Sequence, residues 1–599
     1  MKETKFLAGD ITRGGRSGKL AVMALFGSMA AICSAVDAAP MRVDIAPNGH
    51  CQHARLLQRC ISSRIPVEFG SGGLKIYLSV DANLGRAESF TIVKSGDGWT
   101  ITGADELGLY YGIGRFLHRA RWTDDGFHPE AAATGKCLSS PDCTFRALYL
   151  CAHFYNWYQM ASEEELQEYI EDLLLWGYNT VISDTPLPSV SSFDEAMFRD
   201  TCRKLDRVFA FCRRLGMRTG LIITLNQGLK SAPHEFDAVP PRNIKHRGNL
   251  GRNLCMSKPA AFEYVKGIWR GILSQFTANS VDYVLAWPYD EGGCGCDGCA
   301  PWGAKKFLDC SIALRDIVRD MQSEAKTIIS TWTFDFDTDE GEYAGLYARL
   351  SGDMAWIDSL MVDSHEAFPG YVLKHPPIKP IVNFPEISMW GLRPWGGFGA
   401  NPLPRRFQKI WDSSRRVLSG GMPYSEGKFE DLTKVQWAGY YWDAERNYTD
   451  ILKEYAAYEY SADVAEDAVR LMELIEVNHA GYACGKPIDM TVSRCARELA
   501  DSIDRRLPER AKTAWRWRLL YLRAQLDERR YAYLSAHEGT SDFRYANVSL
   551  KDDPVAQTML QELCRIYRCV DYTGENHWTH PPTNGGYNDR KAKHREGGE

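Results

Sequence analysis

Two adjacent carboxylates, Asp290 and Glu291, end an apolar run that begins at Val281, and a glycine pair and the spacing C-x-C-x-x-C at Cys294, Cys296 and Cys299 follow at once. An acid placed where a strand opens into a loop suits proton donation to a leaving oxygen, and a neighbouring acid suits orientation or charge stabilisation. The bland alternative is that one of the pair caps the next helix and only the other faces a cleft. Cys294, Cys296 and Cys299, with Cys310 on the helix-like stretch beyond, have the spacing of a four-thiolate zinc site. Three cysteines so close cannot all pair among themselves, although a Cys299–Cys310 or longer disulfide stays open. In either form the cysteines would brace the loop behind Glu291, so the zinc would be structural and catalysis would need no cofactor.

Further polar residues recur at the ends of other apolar segments: His153, Asp184, Asn226, Asp335 and Asp337, Asp363 with His365 and Glu366, Glu386, and Glu426. Trp157, Trp287, Trp332, Trp390 and Trp395 lie near the same ends. Any one tryptophan is more readily explained as core, but five near one rim suit a surface on which sugar rings stack. Carboxylates beside flat aromatic faces are what glycosidic bond hydrolysis needs. The catalytic candidates are therefore Glu291 as general acid, with Asp290 or Glu386 assisting. His153, Asn226, Trp287, Trp332, Asp335, Asp363, His365, Trp390 and Glu426 are the substrate-binding candidates. His365-Glu366 also begins like a zinc-protease motif, but the second histidine is missing and Pro369 breaks the helix it would need.

The elements that must position these residues alternate between strand-like and helix-like from Phe145 onward, the pattern of βα units around a parallel sheet. The expected strands are 146–154, 179–184, 219–226, 281–289, 326–335, 359–363, 379–386 and 422–426. Eight of them predict an α/β fold, a (β/α)8 TIM barrel over 141–445, with active-site residues where the strands end. A small N-terminal α/β domain over 41–140 precedes it, with strands at 66–70 and 74–80, a hairpin from Ser89 to Thr102 and a helix over 106–121. Gly112-Ile113-Gly114 lies inside that helical pattern rather than between a strand and a helix, which argues against a nucleotide loop. A C-terminal helical domain over 446–572 follows, with long helices at 448–477, 493–506 and 509–536. Its apolar stripes either pack on the barrel or mediate a homodimer. The tail, 573–599, is Gly-, Pro- and charge-rich and reads as disordered.

With 599 residues the chain is too long for a single core, and about three domains are expected. A net charge of -6 without clustered basic residues gives no nucleic-acid footprint, and a mean hydropathy of -0.34 excludes a polytopic membrane protein. Lys2, Lys5, Arg13, Arg16 and Lys19 precede the apolar run Leu20–Val36 and the small residues near Ala38. This predicts a signal peptide over 1–38 and a secreted or periplasmic protein with no membrane attachment after cleavage. The run is short for a membrane anchor, and Ile32 is too bulky to precede a lipidated Cys33. Setting Cys33 aside, the 17 cysteines leave an even number, and Cys51/Cys60, Cys137/Cys143 and Cys564/Cys569 are near enough in sequence for local disulfides.

The stretch TITGADELGLYYGIGRFL after a strand and turn resembles the small domain that precedes the barrel in family 20 hexosaminidases and family 67 α-glucuronidases. Family 20 enzymes also place an Asp-Glu pair after the fourth strand. The resemblance implies that Glu291 is the general acid and that Asp290 orients a 2-acetamido group, although that family's preceding glycines and histidine are absent here. The segment GGMPYSEGKFEDLTKVQWAGYYW together with C-x-C-x-x-C resembles family 163 endo-β-N-acetylglucosaminidases. These likenesses imply an oligosaccharide or polysaccharide substrate that contains N-acetylhexosamine. A uronidase or other exo-glycosidase on plant or algal glycans, with an arginine such as Arg393 pairing a uronate, and a non-catalytic glycan-binding barrel are the alternatives.

Overall fold

Met41–Ala46 (β1) lies between Val67–Phe69 (β2) and Leu74–Val80 (β3) in a five-stranded sheet. Phe90–Ser95 (β4) and Gly98–Gly103 (β5) complete it in the order β2-β1-β3-β5-β4. β4 and β5 form the expected antiparallel hairpin, with Ser95 opposite Gly98. This computed structural model describes residues 40–96, 98–123, 126–135, 137–152, 156–240, 252–288, 292–335, 341–352, 354–365, 367–375, 379–388, 400–537, 550 and 552–568.

Helix Cys51–Ser62 (α1) carries Cys51 and Cys60 near its two ends, so the helical rise separates these thiols and both are free. Cys137 and Cys143 are also free; Cys569, like Cys33 and the expected signal peptide and tail, lies outside the described residues. Helix Glu106–His118 (α2) starts on Asp105, whose side chain accepts the Gly108 N–H at 2.7 Å. It stops short of the expected Arg121. The Trp122 indole donates to the Leu117 carbonyl at 3.1 Å, turning the chain back, and Arg121–Thr123 pairs with Gly126–His128.

Gly112 and Gly114 serve packing. A Cβ on Gly114 would lie 2.0 Å from the Leu175 carbonyl oxygen, and one on Gly112 would lie 2.6 Å from Ile101 Cγ2. The missing side chains let α2 lie between its own sheet and the barrel helix Glu163–Leu175. That helix begins with the expected capping box, Ser162 and Glu165 each bonding the other's backbone N–H.

Eight parallel strands close into a barrel: Phe145–Leu150, Thr180–Ser183, Arg218–Thr224, Tyr283–Trp287, Lys326–Ser330, Ile357–Asp363, Ile381–Phe384 and Leu418–Gly421. In the first strand Phe145, Ala147 and Tyr149 point into the barrel, where they meet Ile182, Ile222, Leu285, Ile328, Met361 and Val382, while Leu148 and Leu150 face the helices. This period of two is what fills the interior with side chains.

Seven strands fall where the sequence places them, but the eighth pairs earlier than the expected 422–426. Its closing contacts are Gly420 with Phe145 and Gly421 with Arg146. Gly420 has a φ of 143°, and a Cβ there would fall 1.7 Å from the Phe145 carbonyl oxygen. Residues that read as a strand break are thus what the seam requires.

Beneath the barrel, Arg146 is fully buried. It donates to Glu88 Oε2 at 2.5 Å, the Gly177 carbonyl at 2.5 Å and the Cys143 carbonyl at 2.7 Å. Asn179 adds a donor to Glu88 at 3.0 Å. A buried ion pair tolerates its desolvation only when further hydrogen bonds saturate it, and this one joins the N-terminal layer to the first two barrel staves. After the buried helix Asp431–Trp442 the chain is helical: Tyr448–Glu459, Ala465–Ala483, Met490–Arg506, Trp515–Ala536 and Pro554–Tyr567. The long helix expected over 448–477 breaks at Tyr460–Val464, where Ser461 caps a short turn through its bond from the Asp463 N–H.

Candidate active site

The C-terminal ends of the barrel strands bring together a ring of aromatic and acidic side chains. Trp287 ends the fourth strand and Phe384 the seventh, and their rings meet edge to face at 4.8 Å. Trp332, two residues past the fifth strand, packs edge to face on Phe384 at 5.7 Å and lies 6.1 Å from the His365 ring. Trp332 and His365 are half-exposed, whereas Trp287 and Phe384 form the floor beneath them. An apolar floor of this kind offers flat surface to the C–H faces of a sugar.

The carboxylates stand around that floor. Glu386, two residues beyond the seventh strand, accepts the Ser388 N–H at 2.6 Å, and its Oε2 lies 3.9 Å from His365 Nδ1. Asp363 closes the sixth strand and accepts the His365 N–H at 2.7 Å, while the Arg406 guanidinium holds the His365 carbonyl. Asp184, just past the second strand, accepts the Ala152 N–H at 2.6 Å. Glu426 is fully buried and accepts the Tyr424 hydroxyl at 2.7 Å. Burial, reinforced by Cys151 and Glu426, raises Tyr424 well above the usual tyrosine range; burial beside Asp184 does the same for Tyr149. Both phenols therefore stay protonated and able to donate.

Backbone pairing continues past the strands. The Tyr424 N–H donates to the Pro385 carbonyl at 2.9 Å, and Glu386 and Tyr424 form a parallel bridge. The helical region supports the same corner from behind. Arg523 on helix Trp515–Ala536 donates to the Ala400 carbonyl at 2.6 Å, and Asn401 donates to the Ser388 carbonyl at 3.2 Å. Both ends of the chain between Ser388 and Ala400 are thereby tied to one buried network.

Not every expected residue points into this ring. Asn226 is buried, and its amide donates to Asn253 Oδ1 at 2.7 Å and to the Gly292 carbonyl at 3.0 Å, so it joins the loops after the third and fourth strands. The Asp335 carboxylate accepts the N–H groups of Glu342 and Tyr343 at 3.2 and 3.0 Å, where helix Glu342–Leu350 begins. An acid just past a strand end can equally serve the first turn of the next helix, as Asp335 does here. Trp157 packs against Tyr158 and Tyr169 and is core. His153, Asp290, Glu291, Asp337, Glu366, Trp390, Arg393 and Trp395 lie outside the described residues.

The cysteine cluster differs in one member. Cys310 is buried on helix Lys306–Met321, where burial pushes its thiol up, and it is no part of the group. Cys255, at the end of the loop after the third strand, joins Cys294, Cys296 and Cys299 instead, with all four sulfurs within 4.8 Å of one another. Three thiols in one loop imply a fourth from elsewhere, but a partner so distant in the chain is not visible in spacing. Hydrogen bonding from Cys299 draws the Cys294 thiol well below the usual range and raises Cys299, and the Val239 N–H also donates to Cys294 Sγ at 3.2 Å. Sequence reading also missed Phe384 and Tyr424. Strand alternation could have found Tyr424, which lies two residues before Glu426 on the same face.

A closed parallel barrel with acids and aromatic rings gathered at its strand ends belongs to the (β/α)8 class, whose sites form on that face. No family model matches the sequence, and no curated protein does. Solved structures match in fold. One is a family 115 4-O-methyl-α-glucuronidase with specificity for decorated arabinogalactans, with a TM-score of 0.56 and 12% identity over 88% of this chain and 76% of that one. Another is a family 138 enzyme targeting pectin rhamnogalacturonan II, with a TM-score of 0.55 and 12% identity over 88% and 74%. A third is a family 89 glycoside hydrolase from Clostridium perfringens in complex with GlcNAc-α-1,4-galactose, with a TM-score of 0.56 and 11% identity; the likeness covers 86% of this chain and 64% of that chain. The shared feature is the fold of these glycoside hydrolases.

Proposed function

We propose that the protein is a glycoside hydrolase acting on glycans that contain N-acetylhexosamine, with Glu291 as general acid. The observation that carries this reading is the floor of Trp287, Trp332 and Phe384 with Glu386 and His365 at its edge. Sugar stacking and carboxylate catalysis require these groups side by side. Glu291 follows the fourth barrel strand by four positions in the chain. In this reading Glu291 would protonate the leaving oxygen, and Glu386, oriented by the Ser388 N–H, would act as base or nucleophile. Asp363 and Asp184 would bind hydroxyl groups.

The family 115 likeness favours a uronidase as the second reading, since that enzyme is a 4-O-methyl-α-glucuronidase. Assaying aryl glycosides of N-acetylglucosamine and of glucuronic acid, together with extended glycans of each type, separates the two. Glu291→Gln should lower kcat about 10²- to 10⁴-fold with an unchanged melting temperature. Undiminished turnover in that variant refutes the assignment, and sugar binding without turnover in the wild-type protein points to a non-catalytic barrel.

A further inference from the structure

The four sulfurs of Cys255, Cys294, Cys296 and Cys299 come from two separate barrel loops. Cys255 stands four residues before helix Pro259–Leu273, and the other three occupy a tight turn after the fourth strand. Cys255 Sγ is 3.7 Å from Cys296 Sγ and 4.0 Å from Cys299 Sγ. A tetrahedral ion with metal–sulfur bonds of about 2.3 Å has sulfur–sulfur edges of about 3.8 Å. These separations therefore suit four ligands around one centre, and they exceed the about 2.05 Å of a disulfide bond.

The surroundings are those of a thiolate cage. The Val239 N–H donates to Cys294 Sγ, and the Ser257 hydroxyl lies 3.1 Å from Cys255 Sγ and 3.3 Å from Cys296 Sγ. Such bonds orient metal-bound sulfur and spread its charge. Cys255, Cys294 and Cys299 are buried, and only Cys296 is partly open. The loops are also matched in backbone, the Gly295 N–H donating to the Val239 carbonyl at 2.7 Å.

We propose that Cys255, Cys294, Cys296 and Cys299 bind one zinc ion that staples the loop after the third barrel strand to the loop after the fourth. With four protein ligands the coordination is closed, so the ion is structural and takes no part in turnover. Its effect is to fix the segment that begins three residues after Glu291 in the chain.

Metal analysis of the purified full chain, before and after dialysis against zinc, should find about one zinc per chain. X-ray absorption at the zinc edge should show about four sulfur neighbours near 2.3 Å. Cobalt substitution should give the visible bands of a tetrahedral thiolate site. Cys255→Ser should abolish that four-sulfur signature, whereas Cys310→Ser should leave zinc content and spectrum unchanged. The absorption measurement on wild-type protein does not depend on whether the Cys255 variant folds. Two disulfides within this group by non-reducing peptide mapping, or four free thiols that take up neither zinc nor cobalt, overturn the proposal. So does an unchanged four-sulfur shell in Cys255→Ser.

Discussion

The two ends of the barrel both collect acids, yet they secure them differently. At the base Glu88 is locked to the buried Arg146 and bonded by Asn179, and nearby Glu454 lies 2.8 Å from Arg446 and 3.4 Å from Arg119. At the mouth Asp184, Asp363 and Glu386 accept backbone N–H groups, and Glu426 accepts a phenol. Arginine pairing neutralises a charge and ties elements together. A backbone N–H bond aims a carboxylate without supplying a full counter-charge. The contrast is between acids bonded by arginine and acids bonded by backbone N–H groups or a phenol, and under the proposed function only the second kind takes part in chemistry.

Matched substitutions test that division. Glu88→Gln leaves the Arg146 cation buried without its counter-charge and should cost about 3–5 kcal/mol in denaturant unfolding, with kcat of the folded fraction unchanged. Glu386→Gln should do the opposite, lowering kcat about 10²-fold or more with little change in melting temperature. If Glu386→Gln unfolds the protein and Glu88→Gln abolishes turnover, the two ends have been assigned the wrong way round.

A smaller effect follows from Glu454. Burial alone would raise its carboxyl, but Arg115, Arg446 and Arg119 outweigh that and bring it down to about 2. A folded-state value below the unfolded one stabilises at pH above about 4.5 and is lost as pH falls toward 2, amounting to about 3 kcal/mol. Unfolding curves should therefore weaken across that window, and Glu454→Gln should flatten the decline. The smallest effect belongs to the mouth. Trp332→Ala should raise KM by roughly tenfold, about 1.4 kcal/mol of lost stacking, with kcat nearly intact.

Much of the barrel was legible because each buried strand is a short apolar run between helical patterns, as in 219–226 and 281–289. The eighth strand was misplaced because its pairing rests on Gly420 and Gly421, which carry no apolar signal and are chosen for a close approach to Phe145 and Asn383. That acids stand at the strand ends followed from reading where each apolar run stops, as at Asp184, Asp363 and Glu386. Such a reading gives no warning that the Asp335 oxygens are taken up by the start of helix Glu342–Leu350, which only the fold shows. Cys255 was hidden for a related reason: distance along the chain says nothing of which barrel loops become neighbours.

The glycine seam also sets how far apart in the chain the two closing staves lie. The last stave pairs with the first, so the barrel cannot close without the contacts at Gly420 and Gly421, over 270 residues after Phe145. The Glu88 partner of Arg146 precedes it in the chain. The N-terminal layer that holds the first stave therefore comes earlier in the chain than any of the other seven.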